Sequence, residues 1–89
     1  MQPAFSHESY ELGDLIAAGG FGSVHHARDL RHPERAIAIK LVHLENARAS
    51  ASFRAEARTL AKLVHPNILR VYDAWDEPLR GVIVMDFLD

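Results

Sequence analysis

The chain contains no cysteine. Disulfides and thiolate metal sites are therefore excluded, and the redox compartment leaves no mark on the sequence. No apolar run approaches the ~18–20 residues of a membrane span. Residues 1–11 are polar and acidic and lack the apolar core of a signal peptide. An excess of one charge is also missing: ten Lys and Arg stand against twelve Asp and Glu, a net charge of −2. That balance exerts no pull toward nucleic acid or anionic membrane. Six histidines are present. His7, His32, His43 and His65 are scattered, while His25 and His26, adjacent on an expected strand, face opposite sides. Neither a metal site of the chain's own nor a Ser/His/Asp arrangement is expected from that spacing. What remains is 89 residues, 48 % hydrophobic and 25 % charged. Such a chain makes one small globular domain with a marginal core, cytoplasmic by default.

Residues 1–9 have no period and read as a flexible lead-in, which leaves 10–89 as the domain. Residues 10–17 alternate loosely, as a half-exposed antiparallel strand does. A glycine cluster turns the chain back into a second strand over 23–28. A turn with Pro33 follows, and then a β-branched, apolar third strand over 35–44. A helix starts within 45–52, with Ser50 or Ser52 as candidate N-cap. Phe53, Glu56, Ala57, Leu60, Leu63 and Val64 fall on one face of it. Pro66 ends it. Residues 68–75 read as a fourth strand, 76–81 as a hairpin loop and 82–87 as a fifth strand.

Three features carry chemistry. The first is the run Ile16-Ala17-Ala18-Gly19-Gly20-Phe21-Gly22-Ser23-Val24. Glycine takes φ > 0 without strain and lets backbone approach a ligand, so such a loop can aim several N–H groups at phosphate. A plain hairpin turn has the same composition. The second is Lys40, a cation at the end of an apolar strand. The third is Glu56, a carboxylate on the core-facing stripe of the helix. Each charge is costly there unless paired, and each explains the other. The alternative for Glu56 is an edge position that reaches water. Ala38 and Lys40, two apart, share a face of their strand. For Ile16, Val24 and Ala38, simple core packing is the competing account.

Glycine loop, strand lysine and helix glutamate, in that order, form the ATP-holding half of the protein-kinase signature. From Tyr10 onward the chain resembles the N-terminal lobe of a eukaryotic-type, bacterial-like Ser/Thr protein kinase. The resemblance implies an α+β fold, a five-stranded antiparallel curled sheet with one packed helix. It implies phosphate contacts from Gly19, Gly20 and Gly22, with Phe21 capping the phosphates from the loop tip. Lys40 would reach the α- and β-phosphates and Glu56 would hold Lys40. Ile16, Val24 and Ala38 would enclose adenine, with Met85 as gatekeeper. The Asp86 carbonyl and the Leu88 backbone would bond its edge. The family's loop pattern G-x-G-x-x-G-x-V meets Ala17 in place of the first glycine, a Cβ that restricts the backbone there. His65-Pro66-Asn67-Ile68 matches the family's turn after the helix.

The chain stops at the hinge by this resemblance. The catalytic-loop aspartate and the Asp-Phe-Gly aspartate of the family are absent from the sequence. ATP is the expected ligand; magnesium and the protein substrate belong with a second lobe. A fragment of a full kinase, inactive alone, is the expected identity. A stand-alone nucleotide-binding or regulatory module is the alternative. An exposed lobe interface would then favour self-association. A Rossmann-type dinucleotide fragment also competes: strand, glycines, a helix over 21–30, strand 36–42, then Glu45. Glu11 and Asp14 on the first strand, and Lys40 on the second, argue against it.

Overall fold

The computed structural model describes residues 5–62 and 70–87. Apolar and β-branched runs separated by turn residues produce five strands, β1 (Tyr10–Gly19), β2 (Gly22–Asp29), β3 (Ile37–His43), β4 (Val71–Glu77) and β5 (Arg80–Asp86). One helix, α1 (Ala47–Lys62), separates β3 from β4. The strands make one sheet in the order β1-β2-β3-β5-β4, and every neighbouring pair is antiparallel. Residues 22–29 are strand, so the helix that a dinucleotide fold requires after the glycines does not form, and no strand pair among the described residues is parallel. The turn His65-Pro66-Asn67-Ile68, with Leu63 and Val64, lies outside the described residues, as does Leu88.

Strand alternation sorts side chains onto two faces. Ile37, Ile39 and Leu41 of β3 and Val82 and Val84 of β5 form one core cluster with Tyr10 of β1. Trp75 of β4 packs against the same cluster. β1 and β4 are opposite edges of the sheet, yet the Tyr10 and Trp75 rings lie 5.9 Å apart. The sheet therefore curls until its edges meet. The Tyr10 hydroxyl donates to Asp73 of β4 at 3.2 Å, fastening that seam. Burial, then the Asp73 charge and this bond, push the Tyr10 hydroxyl above its ordinary pKa.

Residues 5–9, ahead of β1, are not free of structure. His7 stacks on Trp75 at 4.6 Å, and Phe5 lies 6.5 Å from the same ring. Aromatic residues three to five positions before Tyr10 reach the ring that the seam exposes, a contact no local period could announce.

The second core cluster joins α1 to the opposite face of the sheet: Leu44, Phe53 and Ala57, with Val42, Ala74 and Ile83 against them. Phe53 and Ala57 are one turn apart, so they point together. Helix approach is close enough that a Cβ on Gly81 would lie 2.6 Å from the Phe53 ring. Gly81 is therefore a packing residue inside β5; the hairpin expected over 76–81 is tighter and turns on Pro78 and Leu79. The N-cap is Asn46, whose Oδ1 accepts from the Ala49 N–H at 2.9 Å. Ser50 lies inside α1. Asn is as good a cap as Ser, and the helix starts four residues before Ser50 would have started it.

Candidate functional site

The cross-strand register assembles the expected residues into two adjacent rungs. Ala17 of β1 faces Val24 of β2, Val24 faces Lys40 of β3, and Lys40 faces Ile83 of β5. In the next rung His26 faces Ala38, and Ala38 faces Met85. Directly opposed residues share a face. Val24, Ala38, Lys40 and Met85 thus come together, as strand period alone predicts. Ile16 falls in a register irregularity of β1 between Leu15 and Ala17 and is 39 % exposed.

The glycine loop is a tight hairpin in which Gly19 faces Gly22 across Gly20 and Phe21. Gly22 has φ +136°, and a Cβ there would stand 1.9 Å from the Leu41 carbonyl oxygen. Both facts admit only glycine. The Phe21 carbonyl accepts from the His43 N–H at 2.9 Å, which ties the loop tip to the end of β3. Gly20 is open: nothing lies within 4 Å of an added Cβ. The Phe21 ring folds back beneath Gly19, and Lys40 Nζ sits 5.0 Å from its centroid. A cation over an aromatic face is attracted by the ring quadrupole.

Lys40 and Glu56 do not meet. Glu56 is exposed, and among the ion pairs of the described residues none joins it to Lys40. The cause is the phase of α1. Phe53 and Ala57 dock mainly toward β4 and the start of β5, which leaves Glu56, at the margin of that stripe, facing water. On the neighbouring flank the half-exposed Arg54 pairs with Asp76 of β4 at 3.7 Å. A groove of about 410 Å³ between α1 and β4 is lined by Phe53, Arg54, Ala57, Tyr72, Trp75 and Asp76, none of which belongs to the expected site.

The end of β5 is held from both sides. The Asp86 N–H donates to the Arg70 carbonyl at 2.9 Å, and the Phe87 N–H donates to the Ala36 carbonyl at 3.0 Å. The Phe87 ring meets His26 edge-on at 4.6 Å. The Asp86 carboxylate accepts from the Tyr72 hydroxyl at 2.5 Å. That bond, then burial, then the Asp86 charge raise the Tyr72 pKa above its ordinary value. The Arg35 guanidinium lies 4.6 Å from the Tyr72 ring centroid and Arg70 lies 5.1 Å from it. Arg35 also pairs at 3.7 Å with Asp29, a carboxylate buried to 2 % exposure. Sequence reading missed Tyr72 and Arg35 entirely. They are separated from Asp86 by 14 and 51 positions, and no period links them.

The described residues contain no group of three His, Asp or Glu side chains placed to hold a metal. Nor is any described helix long and apolar enough to cross a membrane. The buried side chain of His25 bonds Ser23 Oγ through Nε2 at 2.9 Å, while exposed His26 faces the other way.

Residues 10–89 match the protein kinase domain family. The serine/threonine-protein kinase PksC of Streptomyces coelicolor is 41 % identical over 87 residues, covering 90 % of this chain and 16 % of that protein. Serine/threonine-protein kinase PknB of Mycobacterium leprae is 39 % identical over 94 residues, covering 98 % of this chain and 15 % of that protein. The chain therefore spans about one sixth of the length of these relatives. Among solved structures, the twitchin kinase fragment of C. elegans superposes with a TM-score of 0.84 at 24 % identity. It covers 93 % of this chain and 19 % of its own, and establishes likeness of fold. With the antiparallel sheet, its single packed helix and the glycine hairpin over Lys40 in place, the chain belongs to the protein kinase family and carries the N-terminal lobe of its domain.

Proposed function

We propose that this lobe binds ATP and serves a protein serine/threonine kinase, supplying the half of the site that holds the nucleotide. One observation carries the reading. The rungs Ala17–Val24–Lys40–Ile83 and Ala38–Met85 set a lysine among small and apolar side chains, beneath a glycine hairpin. Such a face suits a flat base next to a polyanion. Val24 and Ala38 would pack on adenine with Ile16 and Met85 at its edges. The Asp86 carbonyl and Leu88 backbone would accept and donate at its rim. Gly19, Gly20 and Gly22 would turn N–H groups to the phosphates, and Lys40 would neutralise the α- and β-phosphates.

Two movements are needed before that arrangement is complete. Phe21 must leave Lys40 to cap the phosphates, and α1 must turn or slide so that Glu56 reaches Lys40. Phosphoryl transfer further needs a catalytic-loop aspartate and magnesium-holding groups. Residues 1–89 contain neither motif, so this stretch alone is expected to transfer no phosphate. Magnesium, protein substrate and the apolar faces that a second lobe covers all belong to the larger assembly. An ATP-derived acyl phosphate that acylates a nearby lysine tests the reading. Modification at Lys40, suppressed by excess ATP, is the expected result. Labelling that ATP leaves unchanged would contradict it.

A further inference from the structure

Strand alternation puts the Asp86 carboxylate on the face opposite Met85, Ala38 and Lys40. A bound nucleotide would therefore meet the Asp86 backbone, while the side chain is handled from behind. There it finds Tyr72. The β4–β5 register shifts between Val71 and Asp73, so Tyr72 has no ladder partner of its own. An irregularity of this kind re-aims one side chain without breaking the sheet. Here it aims the Tyr72 hydroxyl at Asp86 Oδ1, 2.5 Å away. The Tyr72 ring lies close to two guanidiniums, Arg35 and Arg70. Arg35 is itself anchored by buried Asp29 at the end of β2. The bracket thus runs from the β2 end through Arg35 and Tyr72 to the β5 end.

We propose that Tyr72 is a positioning residue for the nucleotide base, fixing the Asp86 peptide that recognises it. This rests on the nucleotide reading above. The hydroxyl holds the Asp86 side chain, and the side chain sets the backbone whose carbonyl faces the base. The consequence is selective: Tyr72 governs the base end and leaves the phosphate end alone.

The test is a heteronuclear NMR titration of the full 89-residue chain with ATP and, separately, with inorganic tripolyphosphate. Tyr72→Phe keeps the ring beside both arginines and removes only the hydroxyl. ATP affinity is expected to fall roughly fivefold, the size of one ordinary hydrogen bond lost from the support of the Asp86 peptide, with tripolyphosphate affinity unchanged. Asp86→Asn, which keeps an acceptor for Tyr72 but removes its charge, should show a smaller loss in the same direction. It also stands in if Tyr72→Phe does not fold. Equal losses for both ligands, or no loss for ATP, overturn the role assigned to Tyr72 and leave the nucleotide reading standing. A wild-type chain that binds neither ligand, or binds tripolyphosphate as well as ATP, overturns the nucleotide reading and this inference with it.

Discussion

The two ends of the proposed nucleotide face are held in opposite ways. At the β5 end, backbone bonds run from Asp86 to Arg70 and from Phe87 to Ala36, and the Tyr72 hydroxyl holds Asp86. At the loop end, Gly20 is open, Phe21 lies on Lys40 and Glu56 faces solvent. The first end is set before a ligand arrives; the second must rearrange. Binding gains most from groups that need no ordering on contact. The comparison therefore assigns initial recognition to the base and a later, conformational step to the phosphates.

The largest expected effect is at the lysine. In any longer form of the chain that transfers phosphate, Lys40→Met should lower turnover on the order of 10²-fold or more and leave the circular dichroism spectrum unchanged. Near-normal turnover would remove Lys40 from the phosphate end. Next comes the hairpin itself. Gly22→Ala places a Cβ 1.9 Å from the Leu41 oxygen at φ +136°. A loss of roughly 2–3 kcal/mol in urea unfolding is expected from the strain and the clash together. A smaller contrast follows for the aromatic. Phe21→Ala frees Lys40, so its acylation by a neutral reagent should quicken about two- to fivefold, in line with a cation–π contact of under ~1 kcal/mol. Amides at the β5 end should not respond. An unchanged Lys40 rate would mean that Phe21 does not restrain it.

The mildest test uses pH. Both tyrosines of the chain, Tyr10 and Tyr72, have pKa values raised above 10.0. A raised folded value favours the neutral, donating phenol. The stabilisation is therefore full below pH 10 and is lost as pH climbs through the folded values. Phenolate absorbance should rise later in the native chain than in denaturant. Coincident curves would show that neither hydroxyl is engaged.

Much of this was legible in the sequence, and the limit has a physical form. Alternation around Ala38 and Lys40 gave the face they share, because period 2 is a property of the backbone. Gly22 was legible as a turn residue, though its clash with β3 was not. The Phe53/Ala57 stripe gave the helix its buried side. It could not give the phase of α1 relative to β3, which depends on Gly81 admitting the Phe53 ring. Glu56 therefore read as a partner for Lys40, and in this structure it reaches water. The serines lie nearer the apolar stripe and so draw the cap assignment in sequence, while the folded chain caps on Asn46. Tyr72, Arg35 and His7 act across the sheet, where only the folded chain brings them to their partners.

The most direct measurement is amide hydrogen exchange, residue by residue, in the ligand-free chain and with ATP. The Asp86 and Phe87 amides should be protected without ligand and change little when ATP is added. The Gly20 amide should exchange rapidly without ligand and slow once phosphate contacts form. Equal protection at both ends before ATP, or slowing confined to Asp86 and Phe87 after it, would contradict a preset base end and a phosphate end that closes on its ligand.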